Sequence, residues 1–138
     1  MAVRYQLVIN CVGHPEPLAR FWAEALGYVL EPPPAGFVTW DDWRRDIGLP
    51  DSELGIGPDS IIDPRGAGPR IWFHVVPDAK VVKNRLHLDL IPADRDVEVA
   101  RLESIGATRV DIGQAGDESW VVLADPEGNE FCVLQPRH

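Results

Sequence analysis

Two parts of this chain carry one pattern. Residues 4–12, RYQLVINCV, are rich in Val, Ile and Leu and read as a strand. HPEP breaks it. Residues 17–26, PLARFWAEAL, then place Leu18, Phe21, Trp22, Ala25 and Leu26 at helical spacing, with Gly27 as the stop. In the second half RLHLDLI at 85–91 reads as a strand. DRDVEVARLESI at 94–105 reads as a helix, with Val99, Leu102 and Ile105 as its buried stripe and Gly106 as its stop. Sliding one half on the other without gaps puts Leu7 on Leu86, Val8 on His87, Ile9 on Leu88 and Asn10 on Asp89. The same slide puts Leu18 on Val97 and Leu26 on Ile105. An internal repeat of this kind fixes architecture before any single residue does.

The residues after each helix are strand-like too. In the first half a strand starts at 28–31, EPPPAG interrupts it, FVTW at 37–40 resumes it, and RIWFHVV closes the half. In the second half residues 107–112, 119–124 and 130–135 read as strands, and DPEGN at 125–129 is a turn with Gly and Asn where a tight reversal needs them. The expected fold is therefore α+β, built from two βαβββ modules at about 1–77 and 84–138 of a single domain spanning 1–138. The first module carries an extra segment, WDDWRRDIGLPDSELGIGPDSIIDPRGAG. Trp40, Trp43 and Ile47 fall at i, i+3 and i+7 and predict a short amphipathic helix there. The segment is either a surface excursion pinned by tryptophans or a lid.

Charge removes some function classes. The chain has 138 residues, of which 22 are acidic and 13 basic, for a formal charge of −9. Nucleic acid and anionic membrane surfaces both call for clustered Lys and Arg, so neither is an expected partner. Two cysteines, Cys11 and Cys132, are too few for a disulfide framework. No leader pattern or membrane-length apolar run is present, so a cytoplasmic location with reduced thiols is expected.

The doubled strand–helix–three-strand pattern, LHLDL opening the second copy and LADPEGNEFCVLQ closing it, resembles the vicinal-oxygen-chelate superfamily. This is the glyoxalase, bleomycin-resistance and extradiol-dioxygenase group. PLARFWAEALGY resembles the family's first helix, and the nearest likeness is to actinobacterial glyoxalase-like domain proteins. The resemblance covers nearly the whole chain. It implies that the two modules form a curled mixed sheet enclosing a ligand cup, with the helices packed outside. It also implies a divalent metal in some members, held by His, Glu or Gln at four positions on the first and last strand of each module. Other members keep the cup, lack the metal and bind a drug. Here the four positions are Val8, His87, Cys132, and either Trp72 or His74. Matching Gly68 to Gly128 selects Trp72, and a two-residue slip selects His74. The set is poor for a catalytic metal, so no cofactor is expected. A divalent ion on His74, His87 and Cys132 is the alternative.

Read on their own chemistry, His87 and Asp89 lie two apart in a strand and share a face, so the acid could orient the imidazole for general-base work. The plainer reading is a structural pair, with Asp89 capping the following helix or facing Arg85. A Cys in FCVL is more often a small hydrophobe than a nucleophile. Trp40, Trp43 and Trp72, with His74, His87, Asp89, Cys132 and Asn10, are the expected ligand-binding set; Trp120 is core or wall, and Lys83 and Arg85 are a candidate positive rim. Three functions stay open: a small-molecule binder for an aromatic or apolar compound, a lyase, isomerase or dioxygenase-type enzyme using His87 with Asp89, and an interaction module. A homodimer is among the assemblies the resemblance allows.

Overall fold

The computed structural model describes residues 2–136 and divides the chain into two compact units that part between Asp78 and Ala79. The first unit runs β1 (Leu7–Cys11), α1 (Glu16–Leu26), β2 (Val29–Leu30), α2 (Trp40–Asp46), β3 (Ser60–Ile62) and β4 (Ile71–Val75). The second runs β5 (Asp89–Leu90), α3 (Arg95–Ser104), β6 (Thr108–Arg109), β7 (Trp120–Ala124) and β8 (Glu130–Leu134). Strand order is β1-β4-β3-β2 in one sheet and β5-β8-β7-β6 in the other, the same permutation twice. In each, the first strand pairs parallel with the last and the remaining pairs are antiparallel. Both sheets are open, with no closed barrel. The fold is α+β.

Alternation along the strands separates a packed face from an open one. In the first unit Ile61, Ile71 and Phe73 are almost wholly buried, and α1 lies against β2 and β3 through its Leu18, Phe21 and Trp22. Each large apolar side chain so buried stabilises the unit by about 1.5–3 kcal/mol. Pro17 sits in the first turn of α1, where its missing N–H breaks no helical bond, and Gly27 ends the helix at φ 72°, a left-handed cap that glycine adopts without strain. In the second unit Phe131 and Val133 of β8 and Leu123 of β7 pack with Val99 and Leu102 of α3 in the core. Asp94 caps α3 by accepting the Val97 N–H at 3.1 Å.

Strand expectations need correction in three places, one of them 107–112, which gives only Thr108–Arg109 as strand. Residues 37–40 form no strand. Thr39 instead starts α2 as one half of a capping box, accepting the Asp42 N–H at 3.0 Å while Asp42 accepts that of Thr39 at 3.3 Å. The missing strand is β3, which lies inside the extra segment of the first module. Residues 85–91 give only Asp89–Leu90 as strand, and Leu86 is 90% exposed rather than inward. The cause is Asn84, whose side-chain amide donates to the Leu86 carbonyl and bends the chain before the ladder begins.

The expected helix at Trp40 and Trp43 does form. The segment around it is held by a buried cation. Arg44, 3% exposed, donates to Asp41 at 3.1 Å and to the Gly57 carbonyl at 3.0 Å, and lies 3.4 Å from Asp59. Its guanidinium stands 5.8 Å from the Trp40 ring, which meets Trp43 edge to face, and the Trp40 indole donates to the Glu31 carbonyl. Replacing Arg44 with Met would leave Asp41 and Asp59 facing each other without a cation. Chemical denaturation should report a loss of roughly 3 kcal/mol, and an unchanged midpoint would show that Arg44 does not hold the segment.

Asp63 organises the DPRGAG turn before β4. Its carboxylate accepts the backbone N–H of Arg65, Ala67 and Gly68 at 2.8–3.1 Å. The Arg65 N–H, opposed by burial but joined by the Arg65 side chain and the Gly68 N–H, holds the carboxyl at about 2, against an ordinary 3.8. A depressed folded value means stability that is complete above the unfolded value and lost as pH falls through the folded one. The stability gap between wild type and Asp63→Asn should therefore be constant above about pH 5 and shrink from pH 4 towards 2. A gap independent of pH over that range would contradict this.

Candidate functional site

In the second unit, the open face of β7 and β8 carries Trp120, Val122, Cys132 and Leu134, because residues opposite one another in an antiparallel ladder share a face: Trp120 faces Leu134, and Val122 faces Cys132. With Ile112 and Phe131 they form the apolar side of a cavity of about 310 Å3. Its polar side is Lys83, His87, Asp89 and Glu130. Ligand sites are commonly of this kind, mostly apolar with a few placed polar groups.

The parallel register sets Asp89 directly beside Cys132, and the Cys132 N–H donates to the Leu88 carbonyl at 3.0 Å. His87 Nε2 lies 3.2 Å from Asp89 Oδ1. The ligand atoms of His87, Asp89 and Cys132 all fall within 4.8 Å of one another. Burial pushes the Cys132 thiol above its ordinary value, the Asp89 carboxylate beside it pushes the same way and accepts its hydrogen bond, and Lys83 pulls less strongly in the other direction. The pair His87–Asp89 thus meets in space as its spacing suggested. Asp89 does not cap α3; Asp94 does.

Glu130 lines the cavity but its carboxylate is engaged. It receives Lys80 Nζ at 2.7 Å and the Asn84 N–H at 3.3 Å. Asn84 in turn brackets the Glu130 backbone, accepting its N–H at 2.9 Å and donating to its carbonyl at 3.2 Å. Burial raises the Glu130 carboxyl, but the Lys80 ammonium and the backbone N–H groups outweigh it and leave it below its ordinary value. This lock fixes residues 80–84 to the start of β8 and brings Lys83 to the cavity.

The remaining expected ligand residues lie in the first unit. Val8, Asn10, Trp72 and His74 share the open face of β1 and β4, and the Trp72 and His74 rings stack with centroids 4.6 Å apart. The Trp72 indole donates to Asp59 at 3.1 Å. Trp40 and Trp43 pin α2. The ladders also decide the register. Asn10 pairs with His74 as its repeat mate Asp89 pairs with Cys132. His74, not Trp72, is therefore the counterpart of Cys132, and Trp72 that of Glu130. Sequence reasoning missed Ile112, Phe131, Val122 and Leu134. The signal for the last two was the even spacing of WVVLA and EFCVL about the DPEGN turn.

The four family metal positions thus hold Val8, His74, His87 and Cys132. Val8 supplies no donor, and Cys132 replaces a hard oxygen with a soft sulfur. The residues do not fit the His/Glu/Gln-held ion of metal-bearing members.

The raised thiol value predicts low reactivity. The thiolate is the nucleophile, so iodoacetamide at pH 7.5 should alkylate Cys132 several-fold more slowly than free cysteine, and Lys83→Ala should slow it further. Peptide mass spectrometry after timed quenching reads both rates. Alkylation as fast as that of free cysteine would contradict the geometry.

Comparison with known proteins places this arrangement. The family model described as "Glyoxalase-like domain" matches residues 6–134. No curated protein sequence matches the chain. Among solved structures it is similar to TnmS3, an antibiotic binding protein from Streptomyces sp. CB03234, at 18% identity over 99% of both chains with a TM-score of 0.53. It is similar to the oxidase ChaP-H2 at 16% identity over 100% of this chain and 97% of that one, TM-score 0.57. It is also similar to a glyoxalase/bleomycin resistance protein/dioxygenase family enzyme from Burkholderia phytofirmans PsJN, at 15% identity over 94% of this chain and 97% of that one, TM-score 0.52. At these identities the structures speak for the fold alone. With two βαβββ units, the same strand order in each and a family model spanning nearly its whole length, the chain belongs to the glyoxalase-like domain family of the vicinal-oxygen-chelate superfamily.

Proposed function

We propose that this protein binds a small, aromatic or largely apolar organic molecule, without the hard-ligand metal of catalytic relatives. The observation that carries this is the cavity of the second unit, with Ile112, Trp120, Val122 and Leu134 on one side and the His87–Asp89 pair on the other. An apolar wall supplies affinity through buried area, and a short polar edge supplies orientation. The similarity to an antibiotic binding protein supports the reading. The proposed ligand surface of the second unit also takes in Cys132; by itself, the open face of the first unit offers Asn10, Trp72 and His74 as further candidate ligand residues. Trp40 and Trp43 contribute by holding α2. No described helix is long and apolar enough to cross a membrane.

A second reading is enzymatic. The 3.2 Å contact between His87 Nε2 and Asp89 Oδ1 favours it, since a carboxylate so placed orients an imidazole. His87 would then move a proton on the bound compound, with Asp89 as its positioning residue.

Thermal-shift and tryptophan-fluorescence screening of planar aromatic compounds tests the first reading. A specific ligand at a hundred times its Kd should stabilise the fold by ~2.7 kcal/mol. Trp120→Ala should weaken such a ligand about tenfold or more, the equivalent of ~1.4 kcal/mol. His87→Ala should weaken it less if His87 only orients the compound, and should abolish turnover if His87 is a base. A screen in which no aromatic compound shifts the melting point, or one in which Trp120→Ala leaves affinity intact, sinks the binding proposal.

A further inference from the structure

Lys83, His87, Asp89 and Glu130 make the polar edge of the second unit's cavity. Three of them turn their polar atoms to the protein itself. The Glu130 carboxylate takes Lys80 Nζ at 2.7 Å and the Asn84 N–H at 3.3 Å. Asp89 Oδ1 lies 3.2 Å from His87 Nε2, and the same carboxylate accepts the hydrogen bond of the Cys132 thiol. Lys83 differs. Lys80 is engaged by Glu130, but no ion pair or hydrogen bond joins the Lys83 ammonium to any described residue. Its backbone is nonetheless placed, because the neighbouring Asn84 is clamped to Glu130 through its N–H and its side-chain amide. We propose that the compound bound here is an aromatic carboxylate, with its ring on Trp120, Val122 and Leu134 and its anionic group on Lys83 Nζ. The inference rests on the organic-ligand reading and names the class of compound within it.

Charge and hydrogen bonding select a carboxylate over a neutral or cationic compound. A lysine ammonium has donors and no acceptor, and its bonds to an ionised acceptor are shorter and stronger than those to a neutral one. A neutral apolar ligand laid over Lys83 would strip water from a charge without replacing it. A cationic ligand would compete with His87 and Cys132 for Asp89 and with Lys80 for Glu130, and would meet Lys83 at close range. The chain's formal charge of −9 opposes any anion only from a distance, where salt screens it beyond a Debye length of about 10 Å at 0.1 M. One ammonium also matches one charge. Arg85, the other basic residue expected at the rim, does not line the cavity, so a phosphate dianion would bring a second charge with no cation to meet it. The volume of about 310 Å3 sits at the small end of ligand pockets and suits one or two fused rings.

Matched carboxylates and amides test this on the full chain. Isothermal titration compares 1- and 2-naphthoate with the naphthamides of the same shape, and 2-naphthylmethylamine supplies the cationic arm. At least one naphthoate should bind about tenfold or more tighter than its amide, the equivalent of ~1.4 kcal/mol. Lys83→Met should remove that preference and leave the amide's affinity unchanged, and Lys83→Arg should restore most of it. Arg109→Met removes the same charge from β6, outside the cavity lining, and should keep the preference intact. Circular dichroism checks that each variant folds. An amide that binds as tightly as its carboxylate, an ammonium compound that binds tighter than either, or a preference that survives Lys83→Met overturns the carboxylate assignment while the organic-ligand reading stands. Binding by no member of the set overturns it as well, and the wider aromatic screen then decides the organic-ligand reading by itself.

Discussion

The second unit depends on the grip between Asn84 and Glu130. Asn84 uses its side-chain amide as a strand would use its backbone, accepting from the Glu130 N–H and donating to the Glu130 carbonyl. Glu130 answers with its carboxylate, which takes the Asn84 N–H and Lys80. Half-buried polar groups that satisfy one another in this way fix a single register, because any slip would strand several of them at once. From that anchor the chain needs only a few residues to enter β5, where Asp89 meets Cys132 and His87 meets Asp89. The anchor thus sets the polar side of the cavity.

The two units show how far a repeat can diverge while its ladder stays the same. Both sheets have one strand order and one parallel pair. On the open face, however, the first unit carries Val8, Asn10, Trp72 and His74 where the second carries His87, Asp89, Glu130 and Cys132. The packed face keeps apolar residues in both, since burial against a helix allows little else. The open face is constrained only to alternate, and there the units have parted chemically.

Much of the architecture was legible. Both helices announced themselves by spacing, with Gly27 and Gly106 as stops, and DPEGN marked the last hairpin. The failures were local. FVTW looked like strand because its residues favour strand, but Thr39 and Asp42 close a capping box, and reciprocal hydrogen bonds at a helix start outweigh a weak strand preference. RLHLDLI alternates well, yet Asn84 bends the chain and exposes Leu86. The third strand of the first unit was hidden in the extra segment, because SII is too short to show a period.

The sequence by itself determined the doubled βαβββ pattern and the family, since these follow from periodicities of two or 3.6 residues along the chain, and it set His87 and Asp89 only two residues apart. The tertiary structure alone decided which residues from different strands become neighbours. It set Cys132 beside Asp89, made His74 rather than Trp72 its counterpart, committed Glu130 to Lys80 and Asn84, and brought Ile112 to the cavity. The physical reason is that ladder register and side-chain clamps are long-range choices. Local pattern says which face a residue is on, and only pairing between distant segments says what it faces there.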